Sequence, residues 1–129
     1  MPIVSYVGEA DADAEVAAIY AEIRSAFGLP FVPNLFRALA HRPSYLAATW
    51  DRVKLVMAPG ALDRRTKEIV AVAVSATNGC DYCVDAHSAA LRRLGMDDAA
   101  FVELMAVVDL FNGLNALLGG LRVDSDPGS

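Results

Sequence analysis

The stretch Asn78-Gly79-Cys80-Asp81-Tyr82-Cys83-Val84-Asp85-Ala86-His87-Ser88-Ala89-Ala90-Leu91-Arg92-Arg93-Leu94-Gly95 decides how this chain is read. Asn78-Gly79 is a turn signal and Gly95 a helix stop, so residues from about 80 to 94 are expected to form a helix. On the other side of the turn, Asp63 offers an N-cap for a helix running to about Thr77. The two helices would form a hairpin. It carries the chain's only two cysteines, one of its two histidines, and Glu68.

Working outward, the remaining sequence also reads as helices separated by turns. Residues 12–27 place Val16, Ile19, Tyr20, Ile23 and Phe27 on one helical face, and Gly28-Leu29-Pro30 ends that helix. Residues 33–40 form a short helix candidate stopped at Arg42-Pro43. Pro43 suits the first turn of the next, which runs to Met57 and breaks at Pro59-Gly60. Asp97 or Asp98 caps a last helix, expected to run to about Leu118 and to end at Gly119-Gly120. Alternation of β-branched residues is scarce. The expected fold class is all-α, with residues 1–123 as a single helical domain and 124–129 as a disordered tail.

Composition narrows the function classes. The 129 residues are 55% apolar and carry a net charge of −5. Mean hydropathy is +0.36, high for a small soluble monomer. The longest near-apolar run, residues 69–76, is shorter than the roughly 18–20 residues of a membrane span. The first thirteen residues lack the pattern of an export signal. Nine arginines and two lysines are scattered without a basic stripe, which argues against nucleic acid. The last helix is apolar nearly all round, from Phe101, Val102, Leu104 and Met105 to Leu118, and a small domain cannot cover it. A homo-oligomer is therefore expected rather than a membrane protein. Without an export signal, a cytoplasmic, reducing location is expected, where a Cys-x-x-Cys pair is catalytic or metal-binding more often than structural.

Helical geometry orders the candidate site. Cys80, Cys83 and His87 fall within about 60° of arc, and Cys83 and His87 stack about 6 Å apart along the axis. Cys80 lies near the helix N-terminus, whose dipole favours a thiolate. Counted back from the turn, Glu68 falls nearest the His87 end. The expected order is Glu68, His87 (directly or through a water), Cys83, then Cys80. A dipole contributes roughly 0.3–1 kcal/mol, whereas a close charge partner moves a pKa by about 1–3 units. Cys83 is accordingly expected as nucleophile and Cys80 as its resolving partner.

Other readings stand beside this one. The cysteines could be small buried hydrophobes. Cys80, Cys83, His87 and Glu68 could ligate zinc in a binding or redox-sensing module without turnover. Glu68 could simply pair with Arg64 or Arg65. His41 reads as a cap or surface residue, and Trp50, Phe27, Phe31, Phe36 and Tyr82 as core or subunit contacts.

The pattern Glu-x11-Cys-x2-Cys-x3-His, from Glu68 to His87, resembles the AhpD-like alkylhydroperoxidase branch of the carboxymuconolactone decarboxylase family. Leu62–Glu68 resembles the start of that family's site helix, and Val32–Ala40 followed by Pro43 its peroxidase-related members. The resemblance covers roughly residues 12–95. It implies an all-helical bundle assembling as trimers or hexamers, in which Cys83 attacks a hydroperoxide and Cys80 closes a redox disulfide. Glu68 and His87 would relay protons, and a lipoyl or thioredoxin-like dithiol would be the reductant; no cofactor is required. One departure is Tyr82, which stands where the best-known peroxidase of the family has a second histidine. The decarboxylase members lack the cysteine pair.

Overall fold

The computed structural model describes residues 1–128. It contains a 3-10 turn at Glu9–Asp11 and six helices: α1 Ala14–Phe27, α2 Asn34–Leu39, α3 Pro43–Met57, α4 Arg64–Asn78, α5 Asp81–Arg93 and α6 Asp98–Leu121. Among the described residues there is no strand, and the all-α expectation holds. The expected tail, 124–129, ends on Ser129, which lies outside the described residues; Asp124 to Asp126 form no helix.

Aspartates start three of these helices. The Asp13, Asp63 and Asp97 carboxylates accept from the N–H groups of Val16 (3.0 Å), Thr66 (2.8 Å) and Ala100 (2.9 Å). Each such cap contributes about 1 kcal/mol. Asp97, not Asp98, is thus the cap of α6.

The chain divides into two compact units, Met1–Ala58 and the part from Pro59 onward. In the first, α1 and α2 each pack on α3. Its core joins Val16, Tyr20 and Ile23 to Val32, Phe36, Leu46 and Trp50, with the Phe27, Phe36 and Trp50 rings clustered 5.5–6.1 Å apart. The Tyr20 hydroxyl donates to the Val7 carbonyl at 3.0 Å, which fixes the N-terminal segment. His41 is exposed and bonds the Ser5 carbonyl at 2.7 Å, a surface role as expected. Phe31 and Tyr82, by contrast, are exposed rather than core residues of the chain.

In the second unit, α4 packs against both α5 and α6. Its core is small: Val72, Leu91 and Met96, with Ile69, Phe101, Leu104 and Met105 partly buried around them. Arg92 ties α5 to α6, with its guanidinium 4.4 Å from the Phe101 ring and bonded to Asp98 at 2.5 Å.

Two expectations need correction. Gly119-Gly120 does not end α6. The helix continues to Leu121 and stops at Arg122, whose φ is 51° and whose N–H returns to the Gly119 carbonyl. Glycine permits a helix end but does not impose one, and here the backbone ladder continues through it. α6 therefore has 24 residues, about 36 Å. Its most apolar window has a mean hydropathy of 1.6, and none of that window is buried. By length and composition it could cross a bilayer, which counting unbroken apolar runs did not reveal. The second correction concerns Cys80, which precedes α5 instead of lying in its first turn.

Candidate active site

The turn between α4 and α5 sets the positions of the sulfurs. Gly79 adopts φ 70°, and its N–H returns to the Ala76 carbonyl while the Cys80 N–H bonds the Ser75 carbonyl at 2.9 Å. This double closure satisfies the last carbonyls of α4. It leaves Cys80 extended (φ −94°, ψ 90°) as the N-cap of α5, its carbonyl accepting from Val84 N–H at 3.0 Å. Cys80 is thus held by the end of one helix and the start of the next. Cys83 follows in the first turn of α5, and both cysteines are half-buried free thiols.

Glu68 lies in the second turn of α4 and is buried, with its side chain 1% exposed. Its Oε2 is 2.6 Å from His87 Nδ1, and its Oε1 accepts from Arg64 Nε at 2.7 Å. The contact with His87 is direct, with no intervening water, and it crosses from α4 to α5 at the end of the site where the hairpin count placed Glu68. The alternative reading of Glu68 holds as well, since Arg64, one turn earlier on α4, is its second partner.

The charge on Glu68 follows from these contacts. Burial is the largest single influence and pushes its carboxyl up; the bonds from His87 and Arg64 together outweigh that and hold it below the usual glutamate range. The carboxylate is therefore ionised at neutral pH and offers only acceptors. The hydrogen between it and the imidazole then belongs to Nδ1, which leaves Nε2 of a neutral His87 with a lone pair.

The cysteine pair differs from the expected picture. The Cys83 thiol is pushed up, first by its hydrogen bond with Cys80, then by burial and by the Cys80 charge; a bond from Ser75 pulls the other way. His87 is not among these causes. In the resting dithiol Cys83 therefore holds its proton, whereas the sequence led one to expect the adjacent base to make it the more acidic sulfur. The reason is proximity: a second sulfur bonded to Cys83 competes for the same proton.

Sequence reasoning missed Ser75. It is a buried polar residue on α4, and nothing in its type or spacing singles it out. Its position six residues before Asp81, facing a helix that folds back on α4, was the only signal available. Among the described residues no three His, Cys, Asp or Glu side chains come together as a metal site. Both Glu68 oxygens already bond Arg64 and His87, so the four-ligand zinc set is not assembled in this arrangement.

An all-helical hairpin bearing Glu68, a Cys-x-x-Cys pair and His87 defines a class, and comparison with known proteins gives that class its family. The pattern of the carboxymuconolactone decarboxylase family matches residues 43–126, and the chain belongs to that family. It is 32% identical to the alkyl hydroperoxide reductase AhpD of Solibacter usitatus, over 95% of this chain and 69% of that protein. It is 37% identical to the alkyl hydroperoxide reductase Rv2159c of Mycobacterium tuberculosis, over 78% of this chain but only 29% of that longer protein. The crystal structure of an alkylhydroperoxidase AhpD core from Rhodospirillum rubrum superposes with a TM-score of 0.92 at 39% identity, covering 98% of this chain and 95% of that one.

Proposed function

We propose that this chain is a thiol-dependent peroxidase that reduces organic hydroperoxides or hydrogen peroxide through a Cys80/Cys83 disulfide. One observation carries the reading: a buried, ionised Glu68 fixes His87 through Nδ1 and leaves Nε2 as a base one helical turn from Cys83. The names of the two relatives and of the neighbouring crystal structure support it.

Cys83 is protonated at rest, so the reaction begins with proton transfer to His87. The Cys83 thiolate then attacks the distal peroxide oxygen. The O–O bond breaks, the alkoxide leaves as alcohol with the proton held by His87, and Cys83 becomes a sulfenic acid. The Cys80 sulfur displaces hydroxide from that acid, giving water and the disulfide. An external dithiol, lipoyl or thioredoxin-like, returns both electrons by exchange. The reading includes a cytoplasmic, reducing setting in which the resting pair stays as thiols.

The same proposal assigns α6 to assembly with further copies, as trimer or hexamer. Val102, Val107, Leu110, Phe111, Leu117 and Leu118 are exposed on this helix. A groove of about 400 Å³ between α4 and α6, lined by Val74, Val107, Val108 and Phe111, offers a seat for a partner's side chains. An apolar surface of this kind is ordinarily covered.

The test is anaerobic thiol titration before and after one equivalent of hydroperoxide. Two thiols should disappear in the wild type. Cys83→Ala should be inert, and Cys80→Ala should stop at the sulfenic acid. If both single variants consume peroxide as fast as the wild type, the mechanism is wrong.

A further inference from the structure

Glu68 has two donors, and only one of them belongs to the proton relay just described. Arg64 is the other, and its role rests on that relay. Its Nε reaches Glu68 Oε1 at 2.7 Å, whereas Oε2 faces His87 Nδ1 at 2.6 Å. Arg64 sits at the first position of α4, capped by Asp63, and is 38% exposed beside a carboxylate that is 1% exposed. The guanidinium is a permanent cation, and the imidazole is a cation only when protonated. Two cations therefore compete for one buried negative charge.

We propose that Arg64 is the positioning residue of this site: it anchors Glu68 through Oε1 and, by sharing its charge, limits how firmly Glu68 holds a second proton on His87. Without Arg64 the whole carboxylate charge would act on the ring, and Nε2 would be occupied by a proton when Cys83 needs it empty. The charged or titratable groups are Arg64, Arg65, Lys67 and Glu68 on α4 and Asp81, Tyr82, Cys83, Asp85, Arg92 and Arg93 on α5. Of these, Glu68 bonds the imidazole and Cys83 lies one turn before it on the same helix. α6 offers Asp98, Glu103 and Asp109, all exposed.

The experiment follows the His87 ring resonances by NMR through a pH titration, beside the pH profile of peroxide consumption. Arg64→Gln keeps a donor but removes the charge, and Arg64→Met removes both. Each should raise the imidazole midpoint by about one unit and move the acid limb of the profile with it. Arg64→Lys, which restores the charge, should return the midpoint toward wild type. In a Glu68→Gln background, Arg64→Gln should produce no shift, because the carboxylate is the link. Unchanged midpoints in both Arg64→Gln and Arg64→Met would overturn the proposal, as would Arg64→Lys shifting as far as Arg64→Met. If Arg64→Gln folds poorly, Arg64→Met decides the question. The titration needs no substrate, so a wild type inert toward peroxide would sink the peroxidase reading while leaving the role of Arg64 to be judged by the midpoints.

Discussion

In a Glu68→Gln variant the side chain keeps its length but exchanges one acceptor oxygen for an NH2 donor. The wild-type carboxylate accepts from Arg64 Nε on one oxygen and faces His87 Nδ1 on the other. An amide can satisfy only one of these as they stand. The guanidinium cannot give up its proton, so the amide oxygen turns toward Arg64 and the NH2 toward His87. Nδ1 must then accept, and the ring proton moves to Nε2, the nitrogen proposed to take the proton of Cys83. The variant therefore removes the base while leaving both cysteines and the imidazole in place. General-base loss of this kind lowers rates by roughly 10²- to 10⁴-fold. The stability loss should be smaller, about 1–3 kcal/mol, because losing a charge-assisted bond is partly offset by no longer burying a carboxylate. Stopped-flow peroxide consumption gives the rate, urea denaturation the stability, and ring nitrogen chemical shifts the tautomer. Peroxide consumption within about threefold of wild type, with the proton shown to be on Nε2, would refute the assignment of Nε2 as the base.

Four further outcomes follow from the same geometry. Because the fold holds the Glu68 carboxyl below its usual value, its contribution to stability is complete above about pH 4.3 and is lost as pH falls through the lower folded-state value; Glu68→Gln should flatten that acid limb in pH-dependent thermal melts. Ser75→Ala removes the bond that pulls the Cys83 thiol down, so Cys83 should alkylate more slowly at fixed pH, read by mass spectrometry of labelled peptides. Gly79→Ala meets no atom within 4 Å but forces a side chain onto φ 70°, and should cost about 1 kcal/mol in urea denaturation. Phe111→Glu places a charge on the exposed face of α6 and should shift the particle to smaller species in sedimentation; an unchanged mass would remove α6 from the interface.

The chain's local signals are largely readable from sequence because they act between residues a few positions apart. Asp63 caps α4 by reaching a backbone N–H three residues on, and Pro43 fits a first turn whose N–H groups have no helical partner anyway. The spacing of Glu68 and His87 about the Asn78-Gly79 turn puts Glu68 at the His87 end of the site once both segments are helical, and the direct contact between them is set by the packing of the two helices. The length of α6 was misjudged because a glycine pair signals permission, and the tertiary surroundings determine whether it is used.

The sequence by itself determined six helices, the Asp63 cap, the α4–α5 hairpin and the placing of Glu68 at the His87 end of the site, all of which follow from hydrogen-bond periodicity and turn chemistry. Tertiary structure alone decided that the Cys83 thiol is pushed up, because that depends on how closely the Cys80 and Ser75 side chains approach it and on its burial. It also placed Cys80 outside α5, where the closing bonds of α4 claim its N–H. And it gave Glu68 two partners at once: Arg64 along its own helix and His87 from across the hairpin. Such competition for a proton or a charge is settled by ångström-scale distances in a low-dielectric interior, and spacing along the chain does not encode them.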